Sequence, residues 1–150
     1  MSEAMSIAKR FTDTYSAAVT GRDKTAIMSL YAPDVRVFDL WSTWSHEGAE
    51  SWGTSLDGWF DSIESGTHSA TFTDLRAYGD HDVVVVESFV RYAWHSPEGE
   101  QEWMDNRLTW AIVQHKGEWV IAHEHTSAPV DAESGLVGTK RDVDAHHPNS

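Results

Sequence analysis

One stretch near the end of the chain, residues 117–129, constrains the fold more than any other. It begins at Gly117, ends at Pro129 and alternates between them like a β-strand. One predicted face starts bulky and apolar and then becomes polar: Trp119, Ile121, His123, His125 and Ser127. The opposite face carries Val120, Ala122, Glu124 and Thr126. The first face predicts a strand that runs from a packed core into a wet or ligand-filled cavity.

The composition favours a single compact domain and argues against several classes of partner. The chain has 150 residues, of which 40% are hydrophobic and eight are tryptophan, so a sizeable core is expected. The net charge of −13 argues against binding to nucleic acid or anionic membranes. No run of ~20 apolar residues predicts a membrane span. With no cysteine and no apolar leader at the N-terminus, we expect a cytoplasmic protein without disulfides.

The first half of the sequence predicts three helices and one short strand. Residues 3–20 carry an apolar stripe at helical spacing. Asp23 is placed to cap a short second helix, which Pro33 stops. A strand at 35–39 and a tryptophan-rich connection at 40–47 follow. Gly48 then opens a third helix that carries a second apolar stripe and is expected to end by Gly66.

The second half predicts four strands joined by short turns. They cover residues 68–78, with an irregularity near Asp74, then 83–94, 101–114 and 119–127. Helices followed by a run of strands predict an α+β fold with a curved antiparallel sheet and an internal cavity. We therefore expect one domain at 1–130 and a C-terminal tail at 131–150, which is ordered only if it packs on the body or on a second subunit.

The pattern Trp-x-Ile-x-His-x-His-x-Ser-x-Pro after a glycine turn resembles the last strand of SnoaL-like proteins in the NTF2-like superfamily. The association domain of calmodulin-dependent kinases ends similarly. The resemblance covers about residues 4–129 and implies a cone of three helices packed on a curved sheet. It also implies a cofactor-free isomerase, cyclase or dehydratase with a small hydrophobic or polyketide-like substrate. Similar folds dimerise through the outer sheet face, so we expect a homodimer with Val120, Ala122 and Thr126 at its interface.

Tyr15 and Asp39 extend the resemblance to ketosteroid isomerases of the same superfamily. Those enzymes use a tyrosine on the first helix as an oxyanion donor and an aspartate at a matching spacing as a base. The resemblance implies that Tyr15 and Asp39 are catalytic, because a carboxylate can move a proton beside a carbonyl while a phenol stabilises the enolate. It departs at residues 109–111, where the family has a second acid and this chain has none. The alternative is a core tyrosine and a strand-end cap.

His123 and His125 are further catalytic candidates, because they share a predicted face and imidazole is a common acid–base group in enzymes. Three interpretations stay open: structural histidines, acid–base groups, or metal ligands together with His46. Glu124 is predicted on the opposite face and so cannot orient these imidazoles. We therefore predict a protein with no metal and no cofactor, whose activity survives chelation.

The remaining candidates are predicted to bind substrate. Trp41 and Trp44 lie in the connection and can roof a cavity, with His46 beside them. Trp110 and Arg107 lie on the strand before the last. Arg107 must be paired, either with Asp105 or Glu124 or with an anionic ligand.

Two other functions compete with the small-molecule enzyme. One is a non-catalytic module of the same fold for ligand binding or oligomerisation, because fold alone does not decide function. The other is a metal-dependent enzyme that uses a site formed by His46, His123 and His125.

Overall fold

A computed structural model describes residues 1–63 and 65–141 of the chain. Three helices come early: α1 (Glu3–Gly21), α2 (Lys24–Met28) and α3 (Ala49–Asp61). The strands are β1 (Tyr31–Phe38), β2 (His46–Glu47), β3 (Thr67–Gly79), β4 (Val83–His95), β5 (Gln101–His115) and β6 (Glu118–Ser127). This element order confirms the α+β prediction. The predicted tail is only partly covered, because residues 142–150 lie outside the described residues.

Helix α1 packs against β3 and β4 through the apolar stripe that the sequence predicted. The side chain of Ser2 caps its N-terminus by accepting a hydrogen bond from the backbone N–H of Met5. Its C-terminus closes on Arg22, which takes the left-handed conformation. The helix therefore presents one side to the sheet, through Ala4, Ile7, Ala8, Phe11, Thr12, Tyr15, Ala18 and Val19.

The six strands form one curved mixed sheet in the order β2-β1-β6-β5-β4-β3. The long strands β3 to β6 are antiparallel, as predicted, but β1 runs parallel to β6. The expectation of a purely antiparallel sheet was therefore wrong. Pairing between β1 and β6 joins parts of the chain that are distant in sequence, and local alternation carries no information on strand direction. The irregularity predicted near Asp74 is confirmed by its φ of 53° and a register shift between Thr73 and Arg76.

A β-bulge in β6 changes the face on which its second half lies. Ile121 pairs with Ile112 and His123 pairs with Ala111, so Ala122 is an extra residue without a partner in β5. Because strand side chains alternate, one extra residue moves every later side chain to the other face. His123 and His125 therefore point outwards, whereas Glu124 and Thr126 point inwards and are buried.

Two residues of the predicted dimer surface are not available, Thr126 because of the bulge and Val120 because it is buried at a position before the bulge. Thr126 is turned to the interior and Val120 is buried within the chain, so neither side chain is available to a partner. The homodimer itself stays a prediction. Within the described residues, no helix is long and apolar enough to span a membrane.

The end of the described chain, residues 139–141, contacts β5 rather than leaving the body. The backbone N–H of Asp105 donates to the carbonyl of Thr139, and the N–H of Arg141 donates to the Asp105 carboxylate. Arg91 binds the same carboxylate through two hydrogen bonds of 2.7 and 3.0 Å. Although partial burial acts to raise it, the pKa of Asp105 is lowered by its bonds to Arg91 and Arg141.

Candidate functional site

A cavity of about 250 Å³ lies between the inner face of the sheet and helices α1 and α3. Aromatic side chains make up half of its lining, and three polar residues lie among them. The lining residues are Tyr15, Asp39, Trp41, Trp52, Leu56, Trp59, Tyr92, Met104, Asn106 and Glu124. This combination of apolar walls and a few polar groups is typical of small-molecule sites.

Asp39 follows β1 and lies at the edge of the cavity, half-buried. The hydroxyl of Thr126 donates to its Oδ1 at 3.1 Å and accepts the backbone N–H of Leu40 at 3.0 Å. Since the Leu40 N–H occupies an acceptor site on the hydroxyl, the hydroxyl proton is directed to Asp39. Burial raises the pKa of Asp39 above its ordinary value, although the bond from Thr126 opposes this. A carboxylate with a raised pKa is a stronger base than one in water.

Tyr15 and Tyr92 form a hydroxyl pair at the cavity wall, with their oxygens 3.0 Å apart. Burial raises the pKa of both phenols, and the charge of nearby Glu124 adds to the effect, so both stay neutral. One of the two hydroxyl protons is used in the mutual hydrogen bond. The other is free to be donated to a ligand, because each hydroxyl has a single proton.

Glu124 is a cavity residue that the sequence analysis assigned to the wrong face. It is 1% exposed. Its Oε1 accepts hydrogen bonds from the hydroxyl of Tyr31 at 2.5 Å and from Nε1 of Trp110 at 2.8 Å. Burial raises the pKa of Glu124 to about 7 despite these two bonds, and the charge of Asp39 adds to the increase. No local signal in the sequence marks the bulge that turns this residue inwards.

Asn106 is the third polar residue of the lining and was also missed. It is 4% exposed, and its Oδ1 has no hydrogen-bond partner among the described residues. A buried carbonyl oxygen without a partner is costly and invites a ligand donor. The sequence offered no reason to single out Asn106 in a strand rich in polar residues.

Most of the chain matches a known family model. Residues 8–131 align with the model of the SnoaL-like domain. The chain belongs to this family. No curated protein matches it.

Solved structures share the SnoaL-like fold. An NTF2-like protein of unknown function from Pseudomonas putida KT2440 has a TM-score of 0.83 and 22% identity, over 95% of this chain and 99% of that one. A putative calcium/calmodulin dependent protein kinase II association domain from Xanthomonas campestris has a TM-score of 0.72 and 21% identity, over 86% and 89%. The protein Aln2 from a Streptomyces species has a TM-score of 0.74 and 11% identity, over 85% and 92%. At these identities the likeness establishes the fold alone.

In this SnoaL-like chain the histidines do not lie where the sequence placed them. His123 and His125 pack edge-on against Phe38 on the outer face, and Nδ1 of His123 lies 2.7 Å from the carbonyl oxygen of Arg36. The prediction that one of them lines the cavity with Tyr15 and Asp39 was therefore wrong. His125 instead borders a neighbouring open groove, which Asp39 also reaches.

The predicted metal trio is divided by the sheet. His46 pairs with Val37, whose side chain is fully buried, and its ring lies 5.2 Å from that of Trp52. His123 and His125 lie on the opposite face, because of the bulge. Within residues 1–63 and 65–141, no three His, Cys, Asp or Glu side chains are placed to hold a metal ion.

Four of the predicted substrate-binding residues of the SnoaL-like chain lie in four different surroundings. Trp41 lines the cavity, as expected of a roof, whereas Trp44 is 96% exposed beside the neighbouring groove. Trp110 is fully buried behind the wall and acts on the site through Glu124. Arg107 is exposed on the outer face, where its Nε donates to Oγ of Ser127, so its predicted pairing with Asp105 or Glu124 was wrong.

Proposed function

We propose that this SnoaL-like chain is a small-molecule enzyme of isomerase, cyclase or dehydratase type that uses acid–base chemistry without a cofactor. The observation that carries the proposal is the convergence of Asp39 and the Tyr15–Tyr92 hydroxyl pair on one aromatic cavity. A base and a hydroxyl donor facing the same space are the groups needed to move a proton beside a carbonyl.

The carboxylate of Asp39 takes a proton from a carbon next to a carbonyl group. The electron pair of the broken C–H bond moves towards the carbonyl oxygen, which becomes negatively charged. The free hydroxyl proton of the Tyr15–Tyr92 pair is donated to that oxygen, and this donation stabilises the charge in a site with little water. A general base contributes roughly 10²–10⁴-fold in characterised enzymes, and a single oxyanion donor contributes roughly 10²–10³-fold.

The lining defines a substrate class as well as a reaction. Among the described residues, its charged groups are the carboxyls of Asp39 and Glu124, and no Lys or Arg side chain lines it. A substrate that is anionic before reaction is therefore disfavoured while both carboxyls are ionised, since nothing in the described lining would compensate its charge. The aromatic rings favour a planar, largely apolar molecule. The cavity of about 250 Å³ is slightly smaller than typical drug-sized sites, so the substrate is a small neutral carbonyl compound.

Hydrogen–deuterium exchange tests the proposal without knowledge of the natural substrate. Small cyclic ketones such as 2-indanone and 2-tetralone are incubated with the protein in D₂O, and loss of the proton next to the carbonyl is followed by NMR. The wild type is expected to accelerate exchange, and Asp39→Asn is expected to abolish the acceleration. Asp34→Asn is the matched control, because Asp34 is an exposed aspartate of β1. Wild-type exchange no faster than that of Asp39→Asn across the panel contradicts the proposal.

Ligand binding without catalysis is the second candidate function. It is favoured by the bond that ties Asp39 to Thr126, because a carboxyl held by the scaffold can serve as a fixed acceptor for a ligand. The two functions differ in one result. A binding module would hold 2-tetralone in the cavity, as shown by shifted resonances of Trp52 and Trp59, without accelerating exchange.

A further inference from the structure

The carboxyl of Glu124 is anchored through one oxygen only. Both of its hydrogen bonds, from Tyr31 and from Trp110, end on Oε1. No side chain of the described residues donates to Oε2, although Glu124 is 1% exposed and lines the cavity. A buried carboxylate that served only as a structural acceptor would be expected to have both oxygens satisfied. Oε2 is therefore the atom that remains for a ligand.

The position of Glu124 complements that of Asp39. Glu124 pairs with Val37 across β1 and β6, so the two carboxyls come from adjacent strands, two positions apart in register. Both line the same cavity, together with the Tyr15–Tyr92 hydroxyl pair. A substrate in this cavity can therefore contact both carboxyls, each at a different part of the molecule.

The surroundings of Glu124 allow it to change protonation state. Its neighbours that titrate are Asp39 after β1, Tyr31 on β1, Tyr15 on α1 and Tyr92 on β4. None of these is a cation, so no positive charge of residues 1–63 or 65–141 fixes Glu124 as a carboxylate. The hydrogen bonds to Oε1 are compatible with both forms, because a carboxylic acid can carry its proton on Oε2.

We infer that Glu124 is a second catalytic residue of this cavity, and that its Oε2 exchanges a proton with the bound substrate while Asp39 acts at another atom. The inference rests on the proposed function. Asp39 removes the carbon-bound proton, and the electron pair moves onto the carbonyl oxygen. The electron pair then moves back from the oxygen and the O–H bond of protonated Glu124 breaks. In an isomerisation the pair and the proton form a new C–H bond at a second carbon. In an elimination the pair forms a C=C bond as the C–O bond of the leaving group breaks, and the leaving oxygen takes the proton. Asp39 is left protonated and Glu124 ionised, and exchange with water after product release restores both.

Proton uptake on ligand binding tests this role directly. The probe is 4-nitrophenol, whose ionised form resembles an enolate and whose absorbance distinguishes its two forms. Binding at pH 8 is measured by calorimetry in two buffers of different ionisation enthalpy, which gives the number of protons taken up. The wild type is expected to take up close to one proton per bound nitrophenolate, because the ligand's charge favours the protonated form of Glu124. Glu124→Gln is expected to bind the probe with almost no uptake.

Three further variants make the result specific. Asp39→Asn is expected to keep the uptake, and Glu100→Gln, which changes an exposed glutamate, is expected to behave like the wild type. Trp110→Phe removes one donor to Oε1, so the pH midpoint of uptake is expected to move upwards. A midpoint that does not move in Trp110→Phe would show that the proton is taken up at a group other than Glu124, which contradicts the inference.

The outcomes separate this inference from the proposed function. Ketone exchange depends on Asp39, whereas proton uptake depends on Glu124. The role of Glu124 is overturned if proton uptake is undiminished in Glu124→Gln, or if the wild type does not bind nitrophenolate. Either result holds even where ketone exchange still requires Asp39. Uptake that requires Glu124 in a wild type without ketone exchange contradicts the proposed function instead.

Discussion

The hydroxyl of Thr126 connects Asp39 to the backbone, because it accepts the N–H of Leu40 and donates to the Asp39 carboxylate at 3.1 Å. Burial raises the pKa of Asp39, and the hydrogen bond from Thr126 partly opposes this increase. Thr126 is therefore a positioning residue that sets both the direction and the basicity of the proposed base.

Replacing Thr126 by valine tests this relationship, because the shape is kept and the hydroxyl is lost. The pKa of Asp39 should rise further, so the pH at which ketone exchange reaches half its maximum should move upwards. Stability should fall by roughly 1–3 kcal/mol, since the Leu40 N–H loses its acceptor. The pH profile and urea unfolding measure the two effects. Thr126→Ser keeps the hydroxyl and should resemble the wild type; an unchanged midpoint in Thr126→Val would show that the bond does not tune Asp39.

Glu124 should make the stability of the protein depend on pH. Its pKa of about 7 in the folded state lies above the ordinary 4.5, so the folded state binds more protons between these values. The contribution of Glu124 to the free energy of unfolding is therefore fully present below pH 4.5. It is lost as the pH rises to about 7, which lowers the free energy of unfolding by about 3 kcal/mol. In Glu124→Gln this loss should disappear. Urea unfolding at pH 4.5, 6 and 8 measures it, and parallel pH profiles for the variant and the wild type would contradict the prediction.

Asn106 should favour ligand binding at the expense of stability. Its Oδ1 is buried without a partner among the described residues, so Asn106→Leu should stabilise the protein by roughly 1–2 kcal/mol. The same change should weaken binding of neutral 4-nitrophenol, measured at a pH below the pKa of the probe, because only that form has a hydroxyl that can donate to the amide oxygen. Thr109→Val, on the exposed face of the same strand, is the control. Lower stability together with unchanged binding would show that Oδ1 has no role in the cavity.

Tyr15 and Tyr92 should act as one unit. Each phenylalanine variant breaks the same hydrogen bond, so Tyr15→Phe and Tyr92→Phe together should cost less stability than the sum of the two single changes, by about 0.5–1.5 kcal/mol. A double-mutant cycle by urea unfolding measures this coupling. Tyr78→Phe, which removes an exposed bond to Glu87, should add independently. Additive effects of the Tyr15 and Tyr92 changes would mean that the pair is not formed in solution.

The sequence predicted those features that depend on neighbouring residues. The stripe of α1, the cap at Asp23, the glycine before α3 and the irregularity at Asp74 are local, and all four are present. Tyr15 and Asp39 were found through a resemblance that matches their spacing. Their convergence on one cavity agrees with that expectation, while their catalytic role stays a prediction.

The features that sequence reasoning missed depend on pairing between distant strands. The bulge at Ala122 is defined only by the register with β5, and it exchanged the faces of His123 and Glu124. The prediction assumed strict alternation of side chains along β6, and it therefore placed the residues after Ala122 on the wrong face of the sheet. The parallel pairing of β1 with β6 was missed for the same reason, since neither strand shows in its own residues which neighbour it will have.

The most direct test of the proposed function is the rate of ketone exchange at saturation by the wild type and by Asp39→Asn. Saturation separates chemistry from binding, because the maximal rate then reports on the bound complex alone. With 2-tetralone in D₂O, we predict that Asp39→Asn lowers the maximal rate at least about 100-fold and leaves the dissociation constant nearly unchanged. Equal maximal rates for the two proteins, with the ketone bound in the cavity of both, would contradict the assignment of Asp39 as the base.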